Sequence, residues 1–127
     1  MSTTKVLLDS NILILASRGQ VDIQSILTRY DELLISIVSQ VEVLGFNFPS
    51  AAEETAAIDV LAAADVLPFT EREAQYAIAY RKLRKIKFPD AAILATARAA
   101  GADLLTQNLA DFRGLDPAVR VLATQDL

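Results

Sequence analysis

Short apolar runs separated by helix-like segments are the feature that most constrains the fold of this chain. Three of these runs, residues 6–8, 33–36 and 104–105, are rich in Leu, Ile and Val, and the first is ended at once by Asp9. Runs this short and this apolar are typical of strands that are buried on both faces. A sheet of parallel strands covered by helices is the arrangement that buries them.

Helix signals fill the intervals between the runs. Asp22, Ser50 and Thr70 are candidate N-caps, the last two with Glu three residues later, and Gly101 is a candidate helix end. We predict helices at about 11–17, 22–30, 37–45, 50–64, 70–86 and 89–101, and strands at 6–8, 33–36, 66–68, 104–105 and 120–122. This alternation predicts a three-layer α/β/α fold with a central, mainly parallel sheet and right-handed crossovers.

Composition supports the same fold class and predicts one domain over residues 1–127. Hydrophobic residues make up 53% of the 127 residues, whereas aromatic residues make up 6% and Trp is absent. The core must therefore consist of Ala, Leu, Ile and Val, a mixture that suits helices packed on a parallel sheet.

The absence of Cys and His narrows the chemistry. Without Cys there are no disulfides and no thiolate metal sites, and without His the Ser-His-Asp and Cys-His forms of catalysis are excluded. Carboxylate chemistry remains, and carboxylates suit hard cations such as Mg²⁺ and Mn²⁺.

Four acidic residues are candidates for a carboxylate site. Asp9 ends the first strand, Glu42 lies one turn into the helix after the second, Asp90 opens a helix, and Asp111 follows a later strand. In parallel α/β sheets the ligand site lies outside the carboxyl ends of the strands. Taken singly, Asp9 is equally a turn residue, Asp90 a helix cap, and the other two solvated side chains. The remaining twelve acids equal the twelve basic residues in number, so the net charge of −4 fits one concentrated acidic site.

The segments around the four acids resemble those of PIN-domain ribonucleases, in particular the small VapC-type toxins of bacterial toxin–antitoxin pairs. The similarity covers residues 5–122. The matching segments are Asp9-Ser10-Asn11 after the first strand, Glu42 on the helix after strand two, the helix Asp90-Ala91-Ala92-Ile93-Leu94-Ala95-Thr96-Ala97, and Thr106-Gln107-Asn108-Leu109-Ala110-Asp111-Phe112.

The resemblance implies a role for each matching residue. Asp9, Glu42 and Asp90 would be catalytic, metal-binding carboxylates, and Asp111 the fourth, although some relatives have an acid at the position of Asn108. The groups that would support them are Asn11, Thr106 and Asn108. It further implies Mg²⁺ or Mn²⁺ as cofactor, RNA as substrate, an antitoxin protein as partner and a homodimer.

The chain departs from the family pattern at two places, one that concerns the local geometry at the third acid and one that concerns the substrate contact. The segment Lys87-Phe88-Pro89 stands where relatives often have a Gly-rich approach to the third acid. Gln107 stands where relatives often have Arg, so we expect a weaker substrate contact there.

A basic cluster precedes Asp90 directly. It consists of Arg81, Lys82, Arg84, Lys85 and Lys87. We predict that it closes a helix whose opposite stripe, Tyr76, Tyr80 and Leu83, faces the core. The cluster is either a solvated helix end favoured by the helix dipole or a patch that steers RNA into the acidic cleft.

The surroundings of Phe46 and Phe48 also allow two interpretations. The rings either fill the core under a loop or form part of an exposed apolar groove for the antitoxin. The N-terminal residues show no signal-peptide core, and no apolar run approaches the roughly 18–20 residues of a membrane span. We therefore expect a cytoplasmic protein without membrane contact.

Two alternatives from another functional class remain: a non-catalytic PIN-like binding domain and a receiver-type signalling module. A degenerate PIN domain should lack at least one acid, and none is missing. A receiver should have a Lys at the end of a late strand, and residues 104–106 supply none.

Overall fold

The computed structural model describes residues 4–127, so part of the N-terminal segment in which no signal peptide is expected, residues 1–3, lies outside the described residues. Helices and strands alternate along the chain. The elements are β1 (Lys5–Leu8), α1 (Ser10–Ser17), α2 (Ile23–Arg29), β2 (Glu32–Ser36), α3 (Ile37–Leu44), α4 (Ala51–Ala63), β3 (Asp65–Leu67), α5 (Glu71–Leu83), α6 (Phe88–Ala100), β4 (Asp103–Leu105), α7 (Leu109–Phe112), β5 (Val121–Leu122) and a final 3-10 turn (Thr124–Asp126).

The five strands form one parallel sheet in the order β3-β2-β1-β4-β5. β1 is central, with Leu7 paired to Leu34 of β2 on one side and to Leu104 of β4 on the other. The predicted three-layer fold with a parallel sheet is confirmed. The receiver alternative is wrong, because receiver domains place their strands in the order 2-1-3-4-5.

Alternate residues of the strands build a core on each face of the sheet. Leu7, Leu34 and Leu104 point to one face, where α5, α6 and the segment after α7 cover them. Val6 and Leu8 point to the other face, which α1 and α4 cover. This period of two is the geometry of any strand, and here both sets are apolar because helices cover both faces.

α6 is the most deeply buried helix, and this explains its composition. Every residue from Ala91 to Ala97 is buried, between the sheet, α5 and α3. Small side chains allow this close approach. The helix ends at Gly101, which has φ 65°, a left-handed conformation that costs Gly little. Gly101 is the helix end that the sequence predicts.

The predicted N-caps are also in place. Asp22 accepts a hydrogen bond from the Gln24 N–H (3.0 Å), and Ser50 accepts one from the Glu53 N–H (3.2 Å). Glu73 reaches back to the Thr70 N–H (3.0 Å). Each cap satisfies a backbone donor that the first helical turn leaves unpaired.

Three local predictions were wrong. α5 ends at Leu83 and not near residue 86, because Arg84 is extended and its guanidinium turns toward α7. Leu83 is 67% exposed, so it does not belong to the core stripe that Tyr80 joins. The third strand is Asp65–Leu67, one residue earlier than predicted.

A buried polar network ties α5 and α6 to the segment before β5. The Asp116 carboxylate accepts hydrogen bonds from the Tyr80 hydroxyl (2.5 Å), Arg98 (2.6 Å) and the Ala118 N–H (3.0 Å). Arg98 also lies over the Tyr76 ring, 5.1 Å from its centroid. Burial alone would raise the pKa of Asp116, but the hydrogen bonds and the Arg98 charge outweigh it and leave that pKa lowered.

Over residues 4–127, none of the helices has the length and apolar character needed to cross a membrane.

Candidate active site

Asp9 lies where the carboxyl ends of the neighbouring strands β1 and β4 meet. Its backbone N–H donates to the Leu105 carbonyl (3.0 Å), and its side chain, only 4% exposed, is held at both oxygens. Oδ1 accepts from the Ser10 N–H and Oδ2 from the Thr106 hydroxyl, each at 2.7 Å. The carboxylate that ends the central strand is therefore fixed in one orientation.

Glu42 reaches the same edge of the sheet from α3. Its side chain is exposed, and its Oε1 accepts a hydrogen bond from the Ser10 hydroxyl at 2.6 Å. Ser10 thus connects the two acids, through its N–H to Asp9 and its hydroxyl to Glu42. No role for Ser10 was predicted from the sequence, although its position directly after Asp9 in the matching segment was a usable signal.

Asp90 and Asp111 lie at one pocket beside the basic residues. The pocket has a volume of about 380 Å³ and is lined by Arg84, Lys85, Ile86, Lys87, Asp90, Ala110 and Asp111. Asp90 is in the first turn of α6 and half-buried, whereas Asp111 is exposed on α7. The pocket therefore brings cationic and anionic side chains together.

The pKa values of the two less exposed acids indicate repulsion within the group. Burial raises the pKa of Asp9 to about 6, and the charges of Asp90 and Glu42 add to this against the opposing hydrogen bonds from Thr106 and Ser10. Burial also raises the pKa of Asp90, helped by Asp111 and Glu42 and opposed by Lys87. Repulsion thus links Asp9 to Asp90 and Glu42, and it links Asp90 to Asp111 and Glu42.

The four acids are nevertheless not a ready-made metal cluster. Within the described part of the chain, residues 4–127, no three acidic side chains are close enough together to hold one ion. Mutual repulsion favours separated carboxylates, and Glu42 is turned toward Ser10. Since Glu42 and Asp111 are exposed, their side chains have room to rotate toward a cation.

The three predicted supporting residues contact the loop after β4. Thr106 is fully buried, and besides donating to Asp9 its hydroxyl accepts from the Asn108 N–H (3.0 Å). The Asn11 side chain accepts from the Gln107 N–H (3.4 Å). Asn108 itself is exposed and contributes its backbone N–H to this contact.

The Gln107 side chain is turned toward the C-terminal turn. Its Oε1 accepts hydrogen bonds from the Thr124 N–H (3.0 Å) and hydroxyl (3.2 Å). This residue therefore stabilises the loop after β4, and the weaker substrate contact expected at this position stays a prediction.

Some residues of the basic cluster stabilise the fold, whereas others form no salt bridge within the described part of the chain. Arg84 donates to the carbonyls of Ala110 (3.2 Å), Asp111 (2.7 Å) and Arg113 (2.9 Å). Its guanidinium thus holds the end of α7 beside the site. Lys85 and Lys87 line the pocket, and among residues 4–127 neither forms a salt bridge.

The helix-end interpretation of this cluster needs correction. Only Arg81 and Lys82 belong to the last turn of α5, and Arg81 donates to the Ile86 carbonyl at 3.1 Å. Arg84, Lys85 and Lys87 lie in the connection to α6, where a helix dipole does not account for them.

Comparison with known proteins places the chain in a family. The family model of the PIN domain matches residues 6–116. The chain belongs to the PIN-domain family. The predicted resemblance is thereby confirmed, and the four acids of this PIN domain all lie within the matched range. No match was found among curated proteins.

Three solved structures similar to this PIN domain come from toxin–antitoxin complexes. A toxin–antitoxin complex from Klebsiella pneumoniae contains a chain with 29% identity and a TM-score of 0.74, covering 92% of this chain and 95% of that one. VapBC2 from Rickettsia felis, bound to a promoter DNA fragment, gives 20% identity and a TM-score of 0.75, covering 94% and 98%. DNA-bound VapBC from Salmonella typhimurium gives 21% identity and a TM-score of 0.75, covering 94% of this chain and 98% of that one. The latter two likenesses concern the fold alone.

Proposed function

We propose that this PIN domain is a divalent-metal-dependent endoribonuclease and the toxin of a toxin–antitoxin pair, acting in the cytoplasm as one domain over residues 1–127. The observation that supports the proposal is the placement of Asp9 directly after the central parallel strand, with repulsion from Glu42 and Asp90, and of Asp90 beside Asp111. Such a site suits a divalent cation, and the PIN family supplies the nuclease activity as precedent.

The donor set fits Mg²⁺ or Mn²⁺. Asp9, Glu42, Asp90 and Asp111 offer only carboxylate oxygens, which these hard cations prefer. The raised pKa values of Asp9 and Asp90 mean that a nearby positive charge would be stabilising. A cation bound there would stabilise charge on the scissile phosphate and lower the pKa of the attacking water.

The residues around the acids would prepare the site for RNA. Ser10 and Thr106 hold Asp9 in one orientation, and Arg84 holds the chain segment that carries Asp111. Lys85 and Lys87 would attract the phosphate backbone into the pocket beside Asp90. Ser10, Thr106 and Arg84 would thus position the acids, and the two lysines would attract the RNA.

An antitoxin would dock on the apolar surface at the end of α3. Val41, Leu44 and Phe46 are all exposed there, and Phe46 packs edge to face on the half-buried Phe48 at 4.9 Å. Phe48 packs against the core, whereas Phe46 is exposed, so the groove for an antitoxin stays a proposal. A homodimer also remains part of the proposal, and sedimentation analysis of the purified protein decides it.

A non-catalytic PIN-like binding domain is the second candidate. One observation favours it: within residues 4–127, no three of the acids are close enough together to form a metal cluster. Metal binding separates the two candidates, because only the nuclease requires the acids to close around a cation.

Metal should stabilise the folded protein. A ligand that binds only the folded state raises the melting temperature, by roughly 5 °C when free Mg²⁺ or Mn²⁺ is about ten times its dissociation constant. Asp9→Asn should remove most of this shift, whereas Asp59→Asn on the exposed face of α4 should retain it. Differential scanning fluorimetry across millimolar metal measures both. An unchanged melting curve would favour the non-catalytic candidate.

The metal effect should depend on pH through Asp9. Its pKa in the folded protein is about 6, above its ordinary value of 3.8, so the folded state binds this proton more tightly than the unfolded chain. Without metal, stability from this group is therefore lost as pH rises from 3.8 to about 6. Since metal requires the ionised form, the melting shift should be small near pH 5 and largest above about pH 7. A shift independent of pH would exclude Asp9 as a ligand.

Neutralising Lys85 and Lys87 together should weaken RNA binding without affecting the metal shift. Each lost phosphate contact should reduce the slope of log K against log salt by roughly 0.7 for a single strand. The matched control is Arg18→Gln with Arg72→Gln, which removes the same charge from exposed positions elsewhere. Titration of an RNA oligomer at several salt concentrations, in EDTA, measures the slopes. If both double variants give the same slope of log K against log salt, Lys85 and Lys87 make no specific contact with the RNA phosphates.

A further inference from the structure

Ser39 carries a buried hydroxyl that the functions described above do not use. It lies on α3 with none of its surface accessible, and within residues 4–127 its Oγ has no hydrogen-bond partner. An unpaired buried hydroxyl costs free energy, so native proteins rarely keep one. Alanine would fill the same helical position without that cost and with a better helix propensity. The hydroxyl therefore points to a partner that joins it in another state of the protein.

Other buried hydroxyls of the chain do have partners in this state. Ser36 accepts a hydrogen bond from the Val38 N–H (3.1 Å), and Thr96 donates one to the Ala92 carbonyl (2.8 Å). Donation to the carbonyl one turn earlier, as by Thr96, is the usual local bond of a hydroxyl inside a helix. In the described part of the chain Ser39 makes no such bond, so its proton is available to a side-chain acceptor.

Helix geometry identifies Glu42 as that acceptor. Residues three apart on a helix lie on the same side, with Cβ atoms roughly 5–6 Å from each other, and their side chains lean toward the N-terminus. The Glu42 side chain therefore leans over the turn that carries Ser39. The same spacing is bridged at the start of α5, where Glu73 accepts a hydrogen bond from the hydroxyl of Thr70, three residues before it.

The surroundings of α3 give the Glu42 carboxylate two directions. α3 packs against α1, which begins at Ser10, and against α6, which carries Asp90 in its first turn. Glu42 is turned to the α1 side, where its Oε1 accepts a hydrogen bond from the Ser10 hydroxyl (2.6 Å). Because the Glu42 side chain is exposed, it has room to rotate away from Ser10. Two hydroxyls, one on α1 and one on α3, thus compete for one carboxylate.

We propose that Ser39 is a positioning residue that holds Glu42 in its metal-binding orientation. The inference rests on the proposed metal-dependent function, which it deepens. A carboxylate that binds a metal through one oxygen is usually held at the other by a hydrogen-bond donor. Ser39 supplies that donor when Glu42 leaves Ser10. The carboxylate therefore alternates between two hydroxyls, that of Ser10 without metal and that of Ser39 with it.

Metal affinity and stability without metal separate this role from a purely structural one. Ser39→Ala should weaken Mn²⁺ binding by about 10- to 100-fold, the usual cost of losing a hydrogen bond to a metal ligand. It should leave the melting temperature in EDTA unchanged or raised, because the lost hydroxyl had no partner. Isothermal titration calorimetry with Mn²⁺ and thermal melting in EDTA give the two readings.

Ser17→Ala is the matched control. Ser17 is a buried serine of α1 whose hydroxyl donates to the Ile14 carbonyl (2.5 Å). Its loss should lower the melting temperature in EDTA and leave the Mn²⁺ affinity unchanged, which is the opposite pattern to Ser39→Ala.

Two further variants test the alternation of Glu42. Ser10→Ala removes the competing hydroxyl but keeps the backbone N–H that holds Asp9, so Mn²⁺ should bind as tightly as in the wild type or more tightly. In a Glu42→Ala background, Ser39→Ala should cost no further Mn²⁺ affinity, because the acceptor is gone.

Equal Mn²⁺ affinity of Ser39→Ala and wild type would overturn this inference alone, as would additive losses in the Glu42→Ala background. A lower melting temperature of Ser39→Ala in EDTA, with unchanged Mn²⁺ affinity, would assign the hydroxyl to a buried water or a backbone carbonyl instead. Absence of Mn²⁺ binding by the wild-type protein would overturn the metal-dependent function and this inference together. If Mn²⁺ binding follows the expected pattern but no RNA is cut, Ser39 keeps its role and the nuclease proposal fails.

Discussion

Asp90→Asn should abolish RNA cleavage while leaving RNA binding intact or tighter. Asp90 lines the same pocket as Lys85, Lys87 and Asp111, and its pKa is raised first by burial and then by Asp111 and Glu42. Loss of a direct metal carboxylate should reduce the cleavage rate by more than about 100-fold, since even residues that only orient ligands cost 10- to 100-fold. Removing one negative charge should at the same time favour the RNA phosphates.

The same substitution should not unfold the protein. The raised pKa means that the charged form of Asp90 is disfavoured in the fold, so neutral Asn should leave the melting temperature unchanged or slightly higher without metal. Single-turnover cleavage, oligomer binding in EDTA and thermal melting of the variant give the three readings. Asp59→Asn provides the control for the charge change. Cleavage at the wild-type rate by Asp90→Asn would exclude this acid from the chemistry.

Among the substitutions considered, Asp116→Ala should cause the largest loss of stability. The substitution removes three hydrogen bonds to a buried carboxylate and leaves the buried Tyr80 hydroxyl without its acceptor. Because more than a third of the Arg98 side chain is exposed, water can solvate the freed guanidinium. We therefore expect a loss of about 2–4 kcal/mol in the free energy of unfolding, below the cost of breaking a fully buried ion pair.

Urea unfolding measures this loss, and Tyr80→Phe tests its origin. Removing only the hydroxyl should cost less than Asp116→Ala, and the two substitutions together should cost less than their sum. The lowered pKa of Asp116 makes its contribution present above the unfolded pKa and lost as pH falls through the lower folded value. The difference between wild type and Asp116→Ala should accordingly shrink in acid. A constant difference down to about pH 2 would contradict an ionic role.

Local sequence signals predicted the sheet and most helix ends correctly. Features that depend on neighbouring residues can be predicted from the sequence, and these include strand β1, the cap at Asp22 and the helix end at Gly101. The end of α5 could not be predicted in this way, because Arg84 leaves the helix to reach carbonyls 26–29 residues away. The exposure of Leu83 follows from the same departure.

The four site acids stay a prediction from spacing and family resemblance, whereas the contacts between them could not be predicted. In the structure the charges of Asp90 and Glu42 act on Asp9, and those of Asp111 and Glu42 act on Asp90. The Ser10–Glu42 hydrogen bond spans 32 residues and the Tyr80–Asp116 bond spans 36, and neither has a local pattern. Whether the acids close around a cation depends on the balance of repulsion and metal binding, which no sequence motif encodes.

Cleavage of RNA by the purified protein, with mapped ends, tests the central claim most directly. Total RNA is incubated with the protein in millimolar Mg²⁺ or Mn²⁺, in EDTA, and with the Asp90→Asn variant in metal. The metal-dependent nuclease account predicts discrete new ends in metal, and none in EDTA or with the variant. Identical RNA profiles in all three reactions, or equal cleavage in EDTA, would contradict it.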